Sequence, residues 1–141
     1  MKSKQIEKLL LGVYNNFVAS ITDEDVKDII LKRSFISGGC IPSMLTDEWV
    51  NDYDVYFIYK SDIDKVRVYF ENTHTREKED KYHVNLITEN AINLSDKIQL
   101  ITKFYGPIDV VTSNFDWEHI KSYFHYVESL KKHVLCLTDN V

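Results

Sequence analysis

Two short stretches hold the residue types that could do chemistry: SerPheIleSerGlyGlyCysIlePro at 34–42 and AsnAspTyrAspValTyrPhe at 51–57. In the first, Gly38 and Gly39 stand side by side in a chain that has only four glycines, directly after an apolar run. Glycines at a strand end let main-chain amides approach a ligand closely, and a helix starting just behind them adds unpaired N–H groups and a positive dipole end. Pro42 suits the first turn of such a helix. The ligand that fits is a phosphate, to which Ser37 or Ser43 could also donate a hydroxyl. In the second stretch Asp52 and Asp54 are two residues apart in a run rich in aromatic and β-branched residues, so in a strand they point the same way. Two such carboxylates can share a hard cation, and Mg²⁺ characteristically binds one or two carboxylates together with substrate phosphates. Unpaired charge in an otherwise apolar strand is costly, and a metal would compensate it. Together the two stretches point to a nucleoside triphosphate and Mg²⁺, although a glycine pair alone is an ordinary turn and an acidic pair alone is an ordinary sheet end.

Several elements must position these residues. Ile6, Leu9, Leu10, Val13, Tyr14 and Phe17 recur at spacings of three and four and predict an amphipathic helix. A second helix is expected from Thr22, with the Thr22 hydroxyl as cap, Asp23, Glu24 and Asp25 against the positive dipole end, and Val26, Ile29 and Ile30 buried. Ser34 to Ser37 reads as a strand, 52–59 as a second strand and Ser61 to Thr73 as a helix. Three short strands follow around 82–88, 91–94 and 97–102. The stripe Ile120, Phe124, Val127 and Leu130 predicts a helix over 117–130 with Asp116 as a possible N-cap, and a last strand lies near 134–137. The fold class is therefore α/β (or α+β), a mixed β-sheet flanked by helices, in one domain spanning 1–141.

Bulk properties restrict the function classes. A 141-residue chain with 44% apolar and 28% charged residues can build one core. A formal net charge of −5 argues against a broad nucleic-acid-binding surface, which needs concentrated Lys and Arg. The mixed-charge run ThrArgGluLysGluAspLys at 75–81 reads as a solvated connection. Cys40 and Cys136 are too few and too far apart for a disulfide framework, and the five histidines show no zinc spacing with them. His119 and His125, six apart on the expected last helix, fall on different faces. No run approaches the length of a membrane span, and the N-terminus enters a helical pattern. A cytoplasmic protein without a membrane partner is expected.

GlyGlyCysIlePro followed by AsnAspTyrAspValTyrPhe resembles the nucleotidyltransferase signature of the DNA polymerase beta superfamily. The stretches AsnAlaIle at 90–92, LysIleGlnLeuIleThr at 97–102 and AsnPheAspTrp at 114–117 are similar to small nucleotidyltransferase-like proteins of bacteriophages and their hosts. The resemblance implies a nucleotidyltransferase-like fold in which Gly38 and Gly39 contact the triphosphate and Asp52 and Asp54 bind two Mg²⁺ ions. It also implies a third acid on a later strand, where this chain offers Gln99, an amide that ligates metal poorly and cannot act as a base. Asp109, Asp116 and Glu71 are the substitutes, with Asp116 favoured although it also fits as a helix cap.

Two functions follow. One is Mg²⁺-dependent transfer of a nucleoside monophosphate from a triphosphate to an acceptor hydroxyl on a protein, an RNA end or a small molecule. The other is a protein that keeps this frame without turnover and acts by binding nucleotide or inhibiting a partner, in a phage setting. A structural module with a solvent-facing acidic strand is the blandest alternative.

Overall fold

The computed structural model describes residues 1–73, 82–115 and 121–138. Helices α1 (Ser3–Ala19) and α2 (Glu24–Lys32) lead into strand β1 (Ser34–Ser37) and the short helix α3 (Cys40–Leu45). Strand β2 (Tyr53–Phe57) and helix α4 (Lys60–Thr73) come next, then β3 (Val84–Ile87), β4 (Ala91–Leu94) and β5 (Ile98–Tyr105). Helix α5 (Ile108–Thr112) precedes the terminal hairpin β6 (Tyr123–Val127) and β7 (Lys132–Cys136), joined by a 3-10 turn over Glu128–Leu130.

The seven strands form one sheet in the order β3-β4-β5-β2-β1-β6-β7. Only β2 and β5 are parallel, and every other neighbouring pair is antiparallel. This is the mixed sheet flanked by helices that the sequence predicts. Strand alternation divides its side chains between two cores. On one face Ile36, Val55, Phe57, Ile92, Leu94, Leu100 and Phe124 pack with Ile6, Leu10, Tyr14 and Phe17 of α1, Val26, Ile29 and Ile30 of α2, and Val66 and Phe70 of α4. On the other, Phe35, Tyr56 and Val111 form a smaller cluster with Ile58, Ile101 and Ile108. Leu94 and Leu100 thus belong to the helical side, which leaves Asn93 and Gln99 on the face with less cover.

The start of α2 differs from expectation by one residue. Asp23 is the cap, its side chain accepting from the Val26 amide at 3.0 Å, whereas the Thr22 amide donates to the Tyr69 hydroxyl at 2.9 Å and so ties the turn to α4. Replacing Asp23 by Ala orphans a helix-end donor and should lower stability by about 1 kcal/mol in chemical denaturation. Across the same interface Arg33 Nε donates to Asp62 at 2.9 Å, and Asp62 is buried.

The expected helix over 117–130 is overturned for its described part. Tyr123–Val127 is a strand paired with both β1 and β7. Its composition, TyrPheHisTyrVal, suits a pleat, and the apparent helical stripe arises because β6 has packing partners on both faces. Phe124 enters the helical core while Tyr123 lies against the smaller cluster, so a simple alternation of apolar and polar residues never appears. His125 accordingly sits on a strand. Residues 116–120, which include Asp116 and His119, lie outside the described residues, as does the charged run at 75–81.

Candidate functional site

The site lies where β1, β2 and β5 run side by side. Ser37 is directly opposite Asp54 across the β1–β2 pair, and Asp54 is opposite Gln99 across the β2–β5 pair. Gln99 is in turn opposite Asn93 on β4. A polar row thus crosses four strands on the face away from α1, α2 and α4.

Immediately after β1 the chain turns through Gly38, which has φ of +84°, a conformation that side-chain-bearing residues reach only with strain. A Cβ placed there would lie 3.2 Å from Asp54 Oδ2 and 3.7 Å from the Tyr56 hydroxyl. The glycine is therefore favoured twice, by backbone angle and by space, and the side chain that sets the second is Asp54. Gly39 is different: its φ is −70°, it caps α3, and nothing lies within 4 Å of a Cβ built on it.

Asp54 is largely withdrawn from water, and its Oδ1 is buried without a hydrogen-bond donor. Burial, then the negative charge of Asp52, push its carboxyl up to about 6. Both causes disfavour the ionised form. Asp52 itself stands exposed just ahead of β2. Beneath Asp54 the Tyr56 ring is stacked on Phe35 at 5.5 Å, and its hydroxyl is held well above the usual phenol range by burial and then by Asp54. The Cys40 thiol is pushed up to about 12 by burial, with Asp54 as the next cause. Asp54 thus acts electrostatically on a buried thiol and a buried phenol, and what its buried, unpartnered Oδ1 can do is accept from a cation or a hydrogen-bond donor.

Of the residues predicted from sequence, the structure brings Gly38, Asp54 and Asp52 together. Ser37 is fully buried and its Oγ donates to the Ser122 carbonyl at 2.7 Å, which gives it a structural role in tying β1 to the segment before β6. Ser43 lies within α3, where its carbonyl accepts from the Glu48 amide at 2.7 Å. Glu71 is on an exposed position of α4 and Asp109 on an exposed position of α5. Among the described residues no three His, Cys, Asp or Glu side chains are grouped as a metal centre, so neither acid joins the pair, and Gln99 occupies the strand position beside Asp54.

Sequence reasoning missed a second feature beside the pair. The connection from α3 to β2 carries Trp49, which is 77% exposed, and Lys97 Nζ stands 3.8 Å from the centre of its ring. The Lys97 carbonyl accepts from the amide of Tyr53, the residue between the two aspartates, at 2.6 Å. Lys97 and its neighbour Asp96 have φ of 66° and 59°, the left-handed pair that a tight β4–β5 hairpin requires. The Tyr53–Lys97 hydrogen bond ties this turn to β2, so Lys97 and the exposed indole it covers stand at the end of the strand that carries Asp54. The available signal was a tryptophan in a polar stretch, ThrAspGluTrpValAsn at 46–51, where it has no core to enter.

The chain has no match among curated proteins or solved structures. A family model does match, over residues 11–139, and its description is "Gad2: Gabija anti-defense 2 family protein". That finding overturns the expected membership of the nucleotidyltransferase superfamily. The physical reason the motif misled is that Gly38 is demanded by its backbone angle and by the close approach of Asp54, so a glycine turn followed by an acidic strand identifies a local geometry and not a family. The match spans nearly the whole chain, and the anti-defence character it carries accords with the phage setting and the partner-directed alternative: the protein belongs to the Gabija anti-defense 2 family.

Proposed function

We propose that this protein counters Gabija defence by binding and inhibiting a protein component of it, without turnover, through the sheet end that carries Trp49, Lys97, Asp52 and Asp54. The observation that carries the reading is the exposed Trp49 held by Lys97 beside an uncompensated acidic pair. Tryptophan is the residue type most enriched among those that dominate interface energetics, and it does so when surrounded by polar groups that exclude water. A buried carboxylate oxygen without a donor adds specificity, because a partner's arginine or lysine reaching Asp54 would satisfy it. Expressed in cells that carry Gabija, the parent protein is expected to restore phage infection, and Trp49→Ala with Asp52→Asn is expected to restore none at equal protein level. Undiminished rescue by that variant would place the function elsewhere on the molecule.

A second reading is favoured by the Asp54 Oδ1 orphan. Asp52 and Asp54 would hold Mg²⁺, and the pair fits that ion in charge and donor type, since a divalent cation would relieve both the repulsion between them and the unsatisfied oxygen. Bound there, the metal would supply charge neutralisation for the binding of a nucleoside triphosphate. Gly38 keeps the floor beside Asp54 open, and Tyr56 backs it. Calorimetry with ATP, GTP, CTP and UTP, with and without Mg²⁺, separates the two readings: metal-dependent heat lost in Asp52→Asn with Asp54→Asn supports nucleotide capture, and its absence in the parent protein leaves partner binding alone.

A further inference from the structure

The terminal hairpin carries a second group of reactive side chains, remote in sequence from the acidic pair. Tyr123 is directly opposite Cys136 across the β6–β7 pair, and His125 is opposite Val134. Cross-strand neighbours on one face are close enough to interact. Here Cys136 Sγ lies 3.7 Å from His125 Nε2, burial and then the facing Cys136 hold the Tyr123 hydroxyl above its ordinary range, and the Tyr123 ring meets His125 edge-on at 5.0 Å between centroids. Cys136 is half-buried and forms no disulfide. The other cysteine, Cys40, is 3% exposed inside the core, with a thiol pushed up to about 12.

We propose that Cys136 is a thiol-exchange site that reacts with small-molecule disulfides, with His125 as its proton acceptor and the Tyr123 hydroxyl as donor to the thiolate. The thiolate is the nucleophile in such exchange, and neighbouring groups that take its proton or donate to its sulfur raise its population. His125 Nε2 accepts the proton of the Cys136 thiol. Sγ then attacks one sulfur of the disulfide, a new S–S bond forms to Cys136, the original S–S bond breaks, and the departing thiolate takes up the proton. Cys136 is oxidised and the departing sulfur is reduced, so one disulfide and one protein thiol yield one mixed disulfide and one small thiol. The titratable groups around the site are Asp109 of α5, whose charge acts on Tyr123, and His133 of β7, which acts on His125. Burial, and then His133, draw His125 below its ordinary range, so near neutral pH the imidazole is uncharged and able to accept.

The test uses the full chain and the chromogenic aromatic disulfide dithiobis-nitrobenzoate, with mass spectrometry to locate the modified residue. One fast thiol per chain is expected, mapping to Cys136 and lost in Cys136→Ser. His125→Gln should slow it about tenfold at pH 7 and remove the fall in rate that accompanies protonation of the imidazole at lower pH, and Tyr123→Phe should slow it about threefold. Should either variant fail to fold by circular dichroism, the other decides. Cys40 reacting as fast as Cys136, or rates and pH profiles unchanged in every folded variant of His125 and Tyr123, would overturn the proposal.

Discussion

Asp54→Asn should yield a more stable protein that no longer functions. The wild-type carboxyl is pushed up to about 6 from an ordinary value of 3.8, so the folded state binds this proton more tightly than the unfolded chain does. Stability from this group is therefore present in full below about pH 4, declines as pH rises through the interval to about 6, and stays lost above it. A shift of that size corresponds to about 3 kcal/mol, and screening by the solvent that still reaches the group reduces it to about 2 kcal/mol. The neutral amide avoids the penalty, so the variant should gain about 2 kcal/mol at pH 7 and almost nothing at pH 4. Thermal melts of both proteins from pH 4 to 7 check the sign: the gap in Tm should open as pH rises. Equal gaps at both ends would show that the carboxyl is not the strained group. The variant should also lose cation or partner binding, since an amide brings neither the negative charge nor the same acceptor set. A protein that retains a costly acid at the centre of its sheet is expected to use it.

Gly38→Ala has an effect of similar size and opposite sign. The left-handed conformation costs a residue with a Cβ about 1–2 kcal/mol, and the new methyl, 3.2 Å from Asp54 Oδ2, must displace the one side chain the site depends on. A loss of about 2–3 kcal/mol in urea denaturation is expected, with weakened binding in the fraction that still folds. Gly39→Ala is the internal comparison, because its backbone is ordinary and the space beside it is open; it should cost less than about 1 kcal/mol. The glycine pair is thus two residues with separate reasons, one set by Asp54 and the other by the start of α3.

Much of this was legible in the sequence. The stripe from Ile6 to Phe17 marks α1 because α1 has one buried face and a solvated one. Strands β1 and β2 are bounded by turn residues, and their register opposes Ser37 to Asp54, which joins the two stretches that first drew attention. The misreadings share a cause in tertiary context. Strand β6 packs on both sides, so its residues lack the period that identifies a strand. Helix α5 is only five residues long, too short to display a helical period. The position of Gln99 beside Asp54 was inferred through a resemblance that the family comparison displaced, yet the pairing itself is a fact of the β2–β5 register. Neither the orphaned Asp54 Oδ1 nor the Lys97–Trp49 contact could be read in advance, because each depends on where three separated segments meet.

The most direct test of the account is a binding titration of the purified protein against purified Gabija components. A saturable complex is predicted, weakened at least tenfold by Trp49→Ala, which corresponds to about 1.4 kcal/mol, and weakened again by Asp54→Asn. A complex whose affinity is the same for both variants as for the parent, or no complex at all, would contradict it.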